Sequence, residues 1–170
     1  VLGNSSHHAY PLLFDRMPAD LRILALETTG LSGSIAALLG ERIVAQRDLA
    51  AGSRSAQSPA SGIAALLGEV GWKPSDVQLI GVTVGPGSFT GLRVGVTTAK
   101  TLAYVTGAAV IGIDTLEVIA AQSPASIRSV WAAFDAQRGE LFVARWENVD
   151  VDSSLWRQTT EARIVDAKTW

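Results

Sequence analysis

The stretch from Leu79 to Val105 constrains the fold more than any other part of the chain. The apolar run Leu79-Ile80-Gly81-Val82-Thr83-Val84 has the character of a strand buried inside a sheet, and it stops abruptly at Gly85-Pro86-Gly87. Within three residues the pattern becomes helical and stays so to about Val105. A glycine-rich turn between a strand and a helix gathers backbone N–H groups and the positive end of a helix dipole at one surface point. Such a point suits a phosphate, a carboxylate or the close approach of another chain.

The flanking elements follow from local signals. Leu21–Leu26 is an apolar run closed by Glu27-Thr28-Thr29-Gly30, and Ser34–Leu39 and Arg42–Leu49 form a hairpin through Gly40-Glu41. A glycine- and serine-containing loop, Ala51 to Gln57, leads to Ser58-Pro59, an N-cap followed by proline at the first helical position. Ile63, Leu66, Leu67 and Val70 give that helix its apolar stripe, and Gly71 and Pro74 end it. Val77–Val84 is a strand, Ala108–Ile113 another, and Asp114-Thr115-Leu116-Glu117 reads as a capping box opening a helix to about Gln122. Three strands followed by strand–helix alternation predict an α/β fold with a mixed sheet and helices on its faces.

The later sequence partly repeats the opening. Ser129–Asp135 matches Arg22–Glu27 as an apolar strand ending in a carboxylate, and each is followed by a turn with glycine and a second strand, Glu140–Trp146 in the later copy. Two related lobes with facing hairpins fit the duplicated architecture of actin-like phosphotransferases, whose paired carboxylates can hold a metal–nucleotide complex. Glu147 to Ser154 reads as a polar loop, and Leu155 to Val165 holds one further strand. The expected division is residues 1–16 as a disordered upstream extension or cloning remnant, 17–122 as a first lobe, and 123–170 as a partial, truncated second lobe. Met17, the single methionine, is read as the natural start, with a short processed leader as the competing reading.

Composition narrows the chemistry. A chain of 170 residues, 48% hydrophobic, can bury a sizeable core, and a net charge of −2 offers no broad basic surface for nucleic acid. There are no cysteines, so disulfides, thiolate metal sites and a cysteine nucleophile are excluded. The two histidines, His7 and His8, lie together near the N-terminus and leave none in the folded body as base or ligand. No run of about 18 apolar residues is present to span a membrane, and residues 1–16 lack the pattern of a secretory signal. A cytoplasmic setting is expected. The five tryptophans are read as dispersed, which argues against a stacking platform for single-stranded nucleic acid.

The glycine turn itself is neither a P-loop nor a dinucleotide fingerprint, since no Gly-Lys-Ser/Thr follows it and Lys100 lies too far along the helix. Ser88 and Thr90 read as capping residues, because nothing is at hand to activate either as a nucleophile. Arg93 can bind an anion or a partner carboxylate, or be an ordinary exposed arginine. Glu27 and Asp135 stand where a magnesium-dependent enzyme would want acids, and strand-end carboxylates before tight turns are also common loop chemistry. Gly91, Gly95, Ala99 and Ala103, with Gly107 at the same interval, form a line of small residues. That line can pack tightly within the domain or against a helix of another subunit.

Residues 85–104, GPGSFTGLRVGVTTAKTLAY, resemble the signature of the bacterial TsaB (YeaZ) family. ILALETT at 23–29, VIGIDTLEVIAAQ at 110–122 and VWAAFDAQRGELFVARWE at 130–147 extend the resemblance from Leu21 to about Asn148. The resemblance implies an actin-like ATPase (ribonuclease H-like) fold with a βββαβα first lobe. It also implies a role in making threonylcarbamoyladenosine on tRNAs that read codons beginning with adenine. The expected part is a non-catalytic subunit that scaffolds the catalytic TsaD in an assembly with the ATPase TsaE. Such a subunit meets tRNA only through that assembly and forms a homodimer when alone. In family members first-lobe helices form the dimer interface, which points to Gly91, Arg93, Gly95, Ala99, Lys100 and Ala103 as the partner surface. Glu27, Gly85, Gly87, Ser88 and Asp135 are the candidate nucleotide or anion loop, with no catalytic or metal-binding residue assigned. The alternative is a magnesium-dependent phosphotransferase or ATPase binding ATP or ADP. Two departures favour the scaffold: Glu27 replaces the family's usual aspartate, and Ser55-Ala56-Gln57 replaces a His-Ser/Thr pair.

Overall fold

The computed structural model describes residues 17–30, 32–49, 59–124, 126–150 and 155–170. The expectations for residues 1–16, for Ser55-Ala56-Gln57 and for the Ser58 cap lie outside them.

Two sheets are built in chain order. The first takes β1 (Arg22–Glu27), β2 (Gly33–Leu39), β3 (Arg42–Leu49), β4 (Leu79–Gly85) and β5 (Ala109–Asp114), side by side as β3-β2-β1-β4-β5. β1, β2 and β3 pair antiparallel, whereas β1–β4 and β4–β5 are parallel, so the sheet is mixed as the strand order predicts. The parallel pairs need crossovers, and α1 (Pro59–Glu69) and α2 (Phe89–Thr106) supply them.

Alternation along the strands decides which side those helices cover. Leu24 and Leu26, Ile35 and Ala37, and Ile80 and Val82 share one core with Ile63, Leu66 and Leu67 of α1 and Ala99 of α2. Leu66 has no exposed surface, and full burial of such a side chain contributes about 2–3 kcal/mol. Gly62 and Gly68 each cost a helix about 1 kcal/mol relative to alanine. The short α1 is therefore held by its buried face rather than by propensity.

The second sheet contains β6 (Ser129–Gln137), β7 (Glu140–Asp150), β8 (Leu155–Gln158) and β9 (Arg163–Asp166). β6 runs antiparallel along β7, whose other edge is shared by β9 at its start and β8 at its end. The expected polar loop from Glu147 is corrected here: β7 continues to Asp150. Asn148 is buried, its N–H donates to the Arg128 carbonyl at 2.9 Å, and it pairs with Trp156 of β8. The segment Leu155–Val165 resolves into two short strands rather than one.

Between the sheets lies α3 (Thr115–Ala121), capped by Asp114, whose Oδ1 accepts from the N–H groups of Leu116 and Glu117 at 2.7 and 3.3 Å. Its Leu116 and Ala120 are buried with Ala132, Ala144, Trp146 and Trp156 of the second sheet. The helix expected to close the first lobe thus spends its apolar side on the second core.

Candidate functional site

The glycine turn is locked onto the turn after β1. Gly85 has φ +113°, a backbone state that side chains disfavour, and it turns the chain out of β4. The Ser88 N–H donates to the Thr29 carbonyl at 2.8 Å, and the Thr28 hydroxyl donates to the Gly91 carbonyl at 2.8 Å. A Cβ built on Gly91 would overlap the Thr28 carbonyl oxygen, and one on Gly95 would overlap the Thr28 hydroxyl. A Cβ on Gly87 would stand 2.6 Å from that of Thr29. Thr28 and Thr29 are both buried. Glycine is required here because two backbones approach with no room for a methyl group.

The line of small residues is consequently an intramolecular face. Gly95 and Ala99 are buried and Ala99 has no exposed surface, so neither can meet another subunit, and Gly91 is turned toward Thr28. That part of the expected partner surface is corrected. Ala103 is half-buried against the same core. Arg93 and Lys100 instead lie exposed on the opposite side of α2.

The polar side that the sequence lines with Arg93, Lys100 and Tyr104 also carries Phe89, which the sequence analysis did not single out. Phe89 is 73% exposed and Tyr104 91% exposed, and the Arg93 guanidinium sits 5.3 Å from the Phe89 ring centroid. At 3.6 residues per turn, Phe89, Arg93, Lys100 and Tyr104 follow one edge of the helix. The available signal was an aromatic residue four positions before Arg93, off the small stripe.

The two strand-end carboxylates behave alike. Glu27 Oε1 accepts from the Thr29 N–H and from the Thr29 hydroxyl. Asp135 Oδ1 accepts from the Gln137 N–H at 2.7 Å. In each lobe the acid ties its own turn by bonding the residue two positions on, which is the internal repeat seen as chemistry. Asp135, Ala136, Gln137 and Phe142 face Gly87, Ser88 and Phe89 across a cleft of about 210 Å³, and Glu27 does not line it. The structure therefore brings Asp135 to the glycine turn, whereas Glu27 is not among the residues lining that cleft. Ser88 caps α2, its Oγ accepting from the Gly91 N–H at 3.3 Å. Among the described residues no three acids or histidines gather as a metal site. Among them, too, no helix is long and apolar enough to cross a membrane.

Comparison with known proteins places this geometry. The family model described as "TsaD: tRNA N6-adenosine threonylcarbamoyltransferase" matches residues 50–162. The chain is 30% identical over 127 residues to the Bacillus subtilis "tRNA threonylcarbamoyladenosine biosynthesis protein TsaB", covering 75% of this chain and 56% of that one. It is 34% identical over 91 residues to the Escherichia coli protein of the same description, covering 52% and 38%. The chain thus spans about half the length of the curated relatives it matches. In fold it is similar to YeaZ from Pseudomonas aeruginosa, with TM-score 0.74, 24% identity, and 86% of this chain against 68% of that one. The two sheets and their connecting helices are those of the actin-like ATPase fold.

Proposed function

Because the chain belongs to the TsaB (YeaZ) family, within the wider TsaD threonylcarbamoyltransferase family, we propose that it is a non-catalytic subunit of the tRNA-modifying assembly. In this reading it docks the TsaD-type catalytic subunit, with a TsaE-type ATPase in the same assembly. The assembly installs the threonylcarbamoyl group on the adenosine beside the anticodon of tRNAs reading codons that begin with A.

The observation that carries the proposal is the two-sided character of α2. Its small side is committed to Thr28 and the core, while Phe89, Arg93, Lys100 and Tyr104 stand exposed on the other edge. Aromatic and arginine side chains on a rigid element are what interface anchors are made of. When the partner is absent, a second copy of the chain takes its place on the same flank.

A magnesium-nucleotide enzyme is less well supported. A cleft of about 210 Å³ is smaller than the roughly 300 Å³ at which small-molecule pockets usually begin. Both acids already accept hydrogen bonds within their own turns. The test is reconstitution: the chain alone turns over neither ATP nor tRNA, and mixing it with its partners restores modification. Turnover by the isolated chain would overturn the proposal.

A further inference from the structure

α2 carries charge of one sign only. Its 18 residues include Arg93 and Lys100 and no carboxylate, although the chain as a whole has a net charge of −2. Both cations are exposed on the edge that also holds Phe89 and Tyr104, and the Arg93 guanidinium stays on that edge, 5.3 Å from the Phe89 ring centroid. Among the described residues neither cation makes an ion pair.

The acids nearby are engaged elsewhere. The elements packed against α2 are chiefly β1, β4, β5, α1 and the short turn Pro74–Asp76. β4 has no carboxylate. The one charged residue of α1, Glu69, accepts from Arg47 Nη2 at 2.7 Å. Asp76 lies 3.6 Å from Arg22 and accepts from the Lys73 N–H. Glu27 bonds Thr29, and Asp114 caps α3. Asp135, across the cleft from Phe89, accepts from the Gln137 N–H. The edge therefore meets an incoming surface with two unpaired positive charges, on a helix that has no negative one.

We propose that this edge selects its partner by charge: it is complementary to an acidic surface of the catalytic subunit and repels a second copy of the chain. The inference rests on the docking reading above and adds the chemistry of the partner. A twofold contact sets the same patch against itself. Whatever the crossing angle, α2 offers its copy cations alone, and like charges brought together oppose association. A carboxylate-bearing partner gains where the copy loses. The two assemblies respond oppositely to salt, which screens attraction in one and repulsion in the other.

The test uses the full chain, with calorimetry for its TsaD-type partner and sedimentation for self-association, at salt from about 0.05 M to about 0.5 M. Over that range partner affinity is expected to fall about tenfold, while wild-type self-association tightens. Arg93→Gln/Lys100→Gln changes two exposed side chains and should leave the melting temperature unchanged. In that variant the salt-induced loss of partner affinity should shrink to about twofold or less, and self-association at low salt should be tighter than in the wild type. Should the double variant melt early, Arg93→Gln alone carries the test. Partner binding insensitive to salt, an unchanged salt response in the variant, or a variant dimer no tighter than wild type overturns the proposal. Tyr104→Ala separates this inference from the docking reading. If it weakens partner binding while the charge variant keeps the wild-type salt response, the helix docks the partner but charge does not select it. If neither variant alters partner affinity, the docking reading falls, and this inference with it.

Discussion

Thr28 and Gly91 are 63 positions apart and interlock: the Thr28 hydroxyl donates to the Gly91 carbonyl at 2.8 Å, while the Thr28 carbonyl fills the space a Gly91 side chain would need. This contact fixes α2 on the turn after β1. It decides which side of the helix belongs to the fold and which is left for another molecule.

Glycines that look equivalent in sequence should therefore respond oppositely to alanine. Gly91→Ala gains at most about 1 kcal/mol of helix propensity. It must push two backbones apart, an overpacking cost of about 3 kcal/mol, so a clear loss in urea midpoint is expected. Gly68→Ala in α1 meets nothing within 4 Å and should be neutral or stabilise by up to about 1 kcal/mol. Equal effects at the two positions would contradict the packing described.

Thr28→Val keeps the volume and removes the hydroxyl. The Gly91 carbonyl loses its side-chain donor, at an expected cost of about 1 kcal/mol in chemical denaturation. No change in stability would mean that this bond contributes nothing to holding α2.

Ala99→Arg separates the two faces of the helix. Ala99 has no exposed surface, so the change buries an unpaired charge at a cost of several kcal/mol, and the protein should fail to fold. Tyr104→Ala, at a side chain 91% exposed, should alter stability by less than about 0.5 kcal/mol and yet weaken association. Size-exclusion chromatography with thermal melting distinguishes them. A folded Ala99→Arg protein would contradict the burial.

Much of this was legible because local rules produced it. The hairpin at Gly40-Glu41, Pro59 opening α1, the Ser88 cap and the Asp114 cap each follow from a few neighbouring residues. What the sequence hid depends on distant partners. Glu147 and Asp150 make the end of β7 look like a loop, and only pairing with β8 and the Arg128 carbonyl turns it into strand. The small stripe announced close packing but not its partner, since Thr28 reaches it through the fold. The side of α3 that matters is set by Trp146 and Trp156, which lie beyond it in the chain. Trp131 and Trp170 meet for the same kind of reason, one from a strand and the other from the segment after the last strand.

For the nucleotide alternative, calorimetry of ATP with magnesium gives a direct reading. Glu27 is bonded within its own turn and does not line the cleft. No tight binding is therefore expected, and Glu27→Ala should change nothing beyond stability. Tight binding abolished by Glu27→Ala would restore the enzyme reading.

The central claim is that the exposed edge of α2 docks the catalytic subunit. Its most direct measurement is the dissociation constant for a TsaD-type protein, taken for wild type and for an Arg93→Glu/Tyr104→Ala double variant with an unchanged melting temperature. A loss of affinity of about tenfold or more, the scale of one interface hot spot, is the predicted result. Equal affinity in the two proteins would contradict it.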